Sequence, residues 1–264
     1  MTVYIDAHTH LDMMVGDWET AVSQHTTHRI FALSVSIDVA GYEHAQQLAA
    51  DHPFMVPLFG IHPWEAEKIS ADFSQLDPFI AETPILGEIG LDFHFFKEKQ
   101  AQERQRQLFS YFLDAAERQQ KLVNLHTLAA EKEVLRGLEA RDLPGAIVHW
   151  YAGPTALIER YLAAGAYFSI GVGVLFDRHI ADIVTAVPAD RLLSETDNPD
   201  AYNLFRKKPG YPALLLDVVS RIGELRGWSE AETTSRIAAN FTRLLAAAPE
   251  ALSRWQGFQL NRAA

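Results

Sequence analysis

Cysteine is absent from all 264 residues. That excludes a disulfide framework, a thiolate metal site and a cysteine nucleophile. Any metal chemistry is left to nitrogen and oxygen ligands. Basic residues are the second shortage: 23 Lys and Arg face 34 Asp and Glu, for a formal net charge of −11. A broad basic face holds nucleic acid by neutralising phosphates with Lys and Arg, so that class of binder is excluded. An enzyme that meets phosphates through bound cations is not. Long apolar runs are missing too. The longest weakly polar stretch, Gly165 to Phe176, falls short of the ~20 residues that a bilayer span needs. No basic flank with an apolar stretch behind it opens the chain, so a soluble, cytoplasmic protein with no membrane partner is expected. No G-x-S-x-G elbow marks a serine nucleophile. What remains is a globular composition, 48% hydrophobic and 22% charged, at a length that one barrel domain commonly fills.

Short apolar, β-branched runs recur along the chain and predict eight strands: Val3–Ala7, Ile30–Ile37, Met55–Ile61, Ile85–Ile89, Leu122–Leu125, Gly145–Val148, Ala166–Ile170 and Leu192–Ser194. Helical patterns fall between most of them, over Tyr42–Ala50, Phe73–Ala81, Ala101–Gln120, Ala129–Ala140, Thr155–Ala164 and Arg178–Val187. The third is the clearest, with Leu108, Tyr111, Phe112, Ala115 and Ala116 at helical spacing. Alternation of this kind implies parallel strands joined by crossovers. Eight units suit a closed (β/α)8 TIM barrel better than an open sheet. Pro212–Leu260 reads as helices packed on that barrel, including Ala231–Ala247, and residues 1–264 are expected to form one domain.

The polar residues fall in a pattern of their own. Most of the apolar runs finish in, or carry, a side chain that binds metal or moves protons: His8 and His10, His62, Glu88, His126, His149 and Asp197. In such a barrel the active site sits at the C-terminal ends of the strands. A lone His at a strand end is usually structural, but several agreeing with one rim are not. In His8-Thr9-His10 the two imidazoles share one side of a strand and can grip one cation. Asp6 and Asp12 flank them and are expected to orient them. Glu88, between Gly87 and Gly90, is a charge in an apolar strand with no Arg nearby in sequence. Lys97 and Lys121 lie off the strand ends, which leaves Glu88 as the natural bridge between two cations. His126 and His149 would hold the second. Zn, Mn, Fe and Mg all suit such ligands. Two cations about 3.5–4 Å apart share a hydroxide and clamp the attacking and leaving oxygens of a displacement. Asp197 is placed to act as general base.

Taken together, IDAHTHLD (5–12), GIHPWE (60–65), GEIGLDF (87–93), LH (125–126), VHWYAG (148–153) and SETDNP (194–199) resemble, in order and spacing, the TatD family of metal-dependent hydrolases. The likeness runs on to Asn240-Phe241-Thr242-Arg243-Leu244, nearly the whole chain. It implies an amidohydrolase-like TIM barrel with two divalent ions (Mg, Mn or Zn). The implied activity is phosphodiester hydrolysis, often as a deoxyribonuclease and in some members a 3′–5′ exonuclease. His8, His10, Glu88, His126, His149 and Asp197 match the family's metal ligands. His62 matches the His of its G-x-H-P loop, near the phosphate. Single-stranded DNA is the expected substrate and a monomer the expected state.

The departures bear on substrate. The family has an Arg shortly after the fifth strand's His, where this chain reads His126-Thr127-Leu128-Ala129. After the sixth strand, Trp150 and Tyr151 replace smaller residues. After the eighth, Arg206-Lys207-Lys208 is the basic cluster nearest the expected mouth, and phosphate capture there is expected. His94, on the fourth loop, is a further candidate to line the pocket. Phe93, Phe95, Phe96, Trp64, Trp150 and Tyr151 fall on rim loops, where aromatics stack on bases or pack beneath. His25, His28, His44, His52 and His179 are expected at the surface. A metal-dependent ester or amide hydrolase, such as an aminoacyl-tRNA deacylase, is the alternative function. Such a hydrolase would use the same activated water.

Overall fold

The computed structural model describes residues 2–14 and 16–260. Its strands are β1 (Tyr4–Thr9), β2 (Ile30–Val35), β3 (Met55–Leu58), β4 (Ile85–Gly90), β5 (Leu122–His126), β6 (Ala146–Val148), β7 (Ala166–Ile170) and β8 (Leu192–Ser194). All pairings between them are parallel. Ladders join β1-β2-β3 in one run and β4-β5-β6-β7-β8 in another. The runs meet at both ends. Between β3 and β4, the Gly87 N–H donates to the Phe59 carbonyl at 2.8 Å, and Phe59 bridges to Leu86. Between β8 and β1, the Asp197 N–H donates to the His8 carbonyl and the His10 N–H to the Asn198 carbonyl, both at 2.9 Å. Ser194 Oγ donates to the Ile5 carbonyl at 2.6 Å. The sheet closes on itself as a TIM-barrel-like fold.

Helices α1 (Trp18–His28), α2 (Val39–Asp51), α3 (Asp77–Glu82), α4 (Lys99–Gln119), α5 (Glu131–Glu139), α6 (Ile158–Ala163), α7 (Arg178–Ala186) and α8 (Asp200–Arg206) separate or follow the strands. In α4 the buried stripe runs through Leu108, Phe109, Phe112, Leu113, Ala115 and Ala116, and the helix stops at Gln120 in the left-handed region. Two expected helices are each divided into a 3-10 turn and an α-helix: Phe73–Leu76 before α3, and Thr155–Leu157 before α6. Pro78, in the first turn of α3, marks the first break, and Pro154 opens the second segment as the cap of its 3-10 turn. The sequence patterns missed α1 and α8. Only Ala21 and His25 are buried in α1, and only Ala201 in α8, so neither shows an apolar period.

The last stretch forms α9 (Leu214–Arg226), α10 (Glu230–Leu245) and α11 (Pro249–Leu260). Helix α10 lies against β1 and β8, and the Asn240 amide donates to the Ala189 and Leu192 carbonyls at 2.9 Å. Phe31 of β2 meets Trp255 of α11 at 5.2 Å between centroids, and Phe241 of α10 meets the same ring at 5.5 Å. His25 corrects the surface expectation. It is fully buried, its Nδ1 sits 3.0 Å from the Ile30 carbonyl, and its ring stacks on Phe54 at 4.4 Å. No helix among the described residues is long and apolar enough to cross a membrane.

Candidate metal centre

The ends of five strands, β1, β3, β5, β6 and β8, converge on Glu88 of β4. Its carboxylate is 2% exposed and divides two groups of imidazoles between its two oxygens. Oε2 faces His8 Nε2 and His10 Nε2, each at 3.4 Å. Oε1 faces His149 Nε2 at 2.8 Å, His126 Nδ1 at 2.9 Å and His62 Nε2 at 3.5 Å. Asp197 joins the first group, its Oδ1 lying 3.3 Å from His10 Nε2 and 3.6 Å from His8 Nε2. Close backbone approach makes this possible. A Cβ at Gly60 would lie 2.3 Å from the Glu88 carbonyl oxygen, and one at Gly90 2.0 Å from that of His126. Glycine is required at both positions to bring β3 and β5 onto β4. Asp197 adopts φ +51° and Trp150 φ +35°, left-handed backbone at two rim positions.

In His8, His126 and His62 the second nitrogen of the ring fixes what the first can do. Asn124 Nδ2 donates to the Ala7 carbonyl at 2.9 Å, so its Oδ1 accepts from His8 Nδ1 at 2.9 Å. His8 Nε2 is thereby left with a lone pair, and it has no hydrogen-bond partner. His126 turns Nε2 to Asp92 Oδ2 at 3.2 Å, which frees Nδ1 toward Glu88. His149 Nδ1 lies 3.8 Å from Glu195 Oε1. His62 is set the opposite way. Its Nδ1 accepts from the Trp64 N–H at 3.2 Å, so Nε2 carries the proton and points a donor at the centre.

Charge follows from this packing. Burial pushes Glu88 up, but the surrounding imidazoles, His149 foremost, overcome it and hold the carboxyl well below its usual range. Burial works against the charged form of His10, yet Asp197 and Glu88 raise it to about 10. His149 and His126 are likewise raised over the opposing effect of burial, by Glu88 with Glu195 for the first and by Asp92 with Glu88 for the second. His62 is lowered by burial and stays neutral. Burial opposes ionisation of Asp92, but His126, the Phe95 N–H and Trp64 bring it down to about 2. Protons are thus doing what a cation would do between these carboxylates. His126 Nδ1 and His149 Nε2 stand 3.2 Å apart facing one oxygen. With the orphaned His8 Nε2, that all-nitrogen-and-oxygen donor set fits divalent cations. The groups close enough to share an ion are His8, His10 and Glu88; His62, Glu88 and His126; and His8, His149 and Glu195.

Asn124, Asp92 and Glu195 were not singled out by sequence reasoning. Asn124 had a signal: it is a polar residue inside an apolar strand, on the same face as His126 two positions on. Asp92 and Glu195 lie inside the quoted motifs, but spacing does not say which ring each meets. Asp6 and Asp12 do not orient the imidazoles as expected. Asp6 accepts from the Thr196 N–H at 2.8 Å and from Thr196 Oγ at 2.6 Å, tying β1 to the segment after β8. Asp12 hydrogen-bonds neither ring, for its carboxylate lies against Gly41. Lys97 and Lys121 bond to backbone carbonyls of Phe93 and of Ile80, Ala81 and Thr83, away from Glu88.

His94 is exposed on the loop after β4, where its N–H donates to Asp92 Oδ1 and its ring meets Phe95. Trp64 and Phe95 are half-exposed at that edge of the mouth, and Trp64 Nε1 donates to Asp92 Oδ2 at 2.7 Å. Tyr151 packs beneath the rim, its hydroxyl donating to the Pro154 carbonyl. Arg206, Lys207 and Lys208 are exposed at the end of α8.

A family model described as TatD related DNase matches residues 5–246. The uncharacterized metal-dependent hydrolase YcfH of Escherichia coli K12 is 28% identical over 91% of this chain and 94% of its own length. The 3′-5′ ssDNA/RNA exonuclease TatD of Rahnella sp. is 32% identical over 69% of this chain and 74% of its own. Among solved structures, the TatD homolog YJJV of Escherichia coli K12 superposes with a TM-score of 0.83 at 27% identity, over 91% of this chain and 97% of that one.

Proposed function

This chain belongs to the TatD related DNase family, and on that premise we propose that it is a metal-dependent hydrolase of phosphodiester bonds in single-stranded nucleic acid. The observation that carries the reading is the split of Glu88, one oxygen to His8 and His10 and the other to His126 and His149. His8, His10, Glu88 and Asp197 would hold one cation, and Glu88, His126 and His149 a second. Divalent ions there supply Lewis acidity, which makes water nucleophilic at neutral pH and offsets charge on the phosphoryl oxygens. The chain's own groups supply the rest. Asp197, held ionised by its imidazole neighbours against the effect of burial, accepts the proton of the attacking water. Neutral His62 donates from Nε2 to a phosphoryl oxygen. Asn124 and Asp92 keep the His8 and His126 rings in the required tautomers. Arg206, Lys207 and Lys208 lie on the segment that follows Asp197 and attract the flanking phosphates. They take the place of the cation that is absent at Leu128.

A panel of single-stranded DNA, RNA, bis(p-nitrophenyl) phosphate and aminoacyl esters, each with Mg, Mn and Zn, tests this reading. Cleavage of the diesters, with Glu88→Gln inactive, is the expected result. Leu128 in place of the family's Arg favours the ester or amide alternative, including aminoacyl-tRNA deacylation. That alternative takes over if only those substrates turn over.

A further inference from the structure

An aromatic run leaves the centre beside His149. Trp150, the next residue, is held in its left-handed conformation by a bond from its N–H to Glu195 Oε1 at 2.8 Å. A bulky residue adopts such a backbone only where its surroundings impose it. The Trp150 ring lies 6.1 Å from Phe205 of α8, Phe205 stacks on Phe176 at 4.8 Å, and Phe176 lies 6.2 Å from Tyr202. The two central rings are not core residues, since Phe176 is 36% and Phe205 37% exposed. Cations adjoin them. The Arg206 guanidinium sits 4.6 Å over the Phe176 ring, and Lys208 Nζ 5.7 Å from the Tyr202 centroid. Phe176, Tyr202 and Arg206 also wall an open cleft of about 420 Å³, whose remaining lining includes Asp217 and the ion pair of Arg221 with Glu224.

We propose that this run is a stacking platform for unpaired bases of the strand being cleaved, with a base seated in the cleft and its phosphates on Arg206, Lys207 and Lys208. The proposal rests on the phosphodiesterase reading above and adds what part of the substrate the protein recognises. Flat, exposed rings beside cations suit a single strand, whose base faces are free; in a duplex those faces are covered by neighbouring pairs. The chemistry of the cleft sorts the two parts of a nucleotide. Glu224 is taken up by Arg221, and the Asp217 carboxylate on the cleft wall can accept from a base N–H. The basic cluster attracts phosphate in a chain whose net charge is −11. An apolar partner protein would have no use for these cations.

The test is fluorescence anisotropy of a labelled phosphorothioate oligothymidylate against an abasic oligomer of equal length, with the manganese-loaded protein. Both oligomers carry phosphorothioate linkages to slow turnover, and their integrity is confirmed on a denaturing gel after each titration. Phe176→Ala with Phe205→Ala is expected to weaken oligothymidylate binding about tenfold or more and to leave the abasic oligomer's affinity as it was. Phe205→Leu, which keeps apolar bulk but not the flat face, should lose most of the same factor while melting at the wild-type temperature. Equal losses for both oligomers, or none, overturn the platform. So does a change of oligomeric state in the Phe205 variants, which would make the face a contact between copies. Turnover of bis(p-nitrophenyl) phosphate by the wild type is scored separately. Without turnover but with the base-dependent difference, the platform stands and the hydrolytic reading fails.

Discussion

Glu88 is one carboxylate serving two groups of rings, so it has no substitute among its neighbours. In Glu88→Gln one oxygen becomes an amide that donates where a cation should sit. Metal content and kcat are expected to fall together, kcat by roughly a thousandfold, further than in any single His→Ala variant at 8, 10, 126 or 149. Wild-type metal content in Glu88→Gln would refute the bridging role. His25 illustrates a different use of the same side chain. Burial lowers its pKa from 6.5 to about 4, because the folded protein holds it neutral between the Ile30 carbonyl and Phe54. The unfolded chain takes up the proton first as the pH falls. The His25 contribution is therefore complete above pH 6.5 and is lost as pH falls through 4, by roughly 3 kcal/mol. His25→Phe keeps the stacking and cannot titrate. Urea denaturation should show it losing less stability than wild type over that interval, and parallel losses would contradict the assignment.

Elements position what residues provide. The loop after β4 is pinned from α4, where Gln105 Oε1, buried, accepts from the Asp92 N–H at 2.9 Å. Asp92 in turn holds His126 Nε2 and accepts from Trp64 Nε1 and from the N–H groups of His94 and Phe95. One carboxylate thus joins the helix, the rim and the centre. Asp92→Asn should cost about 10–100-fold in manganese affinity, as partners of metal-bound histidines usually do. Gln105→Leu touches no imidazole, yet should shift affinity in the same direction by releasing Asp92. Titration calorimetry distinguishes the outcomes, and an unchanged affinity in both variants would remove Asp92 from the centre's support.

At the scale of the whole molecule, cations and protons compete for the same converging groups. Without metal, His10 is raised to about 10, so its stabilising charge is complete below pH 6.5 and is lost as pH rises through 10. The chelated protein should therefore lose stability across that range. The metal-loaded protein should hold, and loading at pH 8 should release protons to an indicator dye. At a hundredfold excess over Kd, metal adds about 2.7 kcal/mol, or ~5–10 °C in Tm. No proton release and no Tm shift with any divalent ion would leave the cluster without its proposed occupant. The net charge of −11 concentrates phosphate attraction in few places. Neutralising Arg206, Lys207 and Lys208 together should raise KM for oligonucleotides and flatten its salt dependence, with little change in kcat. An unchanged KM across a salt series would make the cluster a solvated loop.

The sequence by itself determined the alternation of strands and helices and the residues that end the strands. Both are written locally, as apolar runs of fixed period and as His8, His10, Glu88, His126, His149 and Asp197 interrupting them. It did not reveal α1, whose buried face is little more than Ala21 and His25. Tertiary structure alone decided the closure of the sheet, where Thr196 meets Asp6 across 190 positions. It alone made His8 a lone-pair donor and His62 a proton donor, through Asn124 and the Trp64 N–H. The reason is the same in each case. A side chain's type and period are properties of a short window, whereas a tautomer or a carboxylate's partner is set by strand register between segments far apart in the chain.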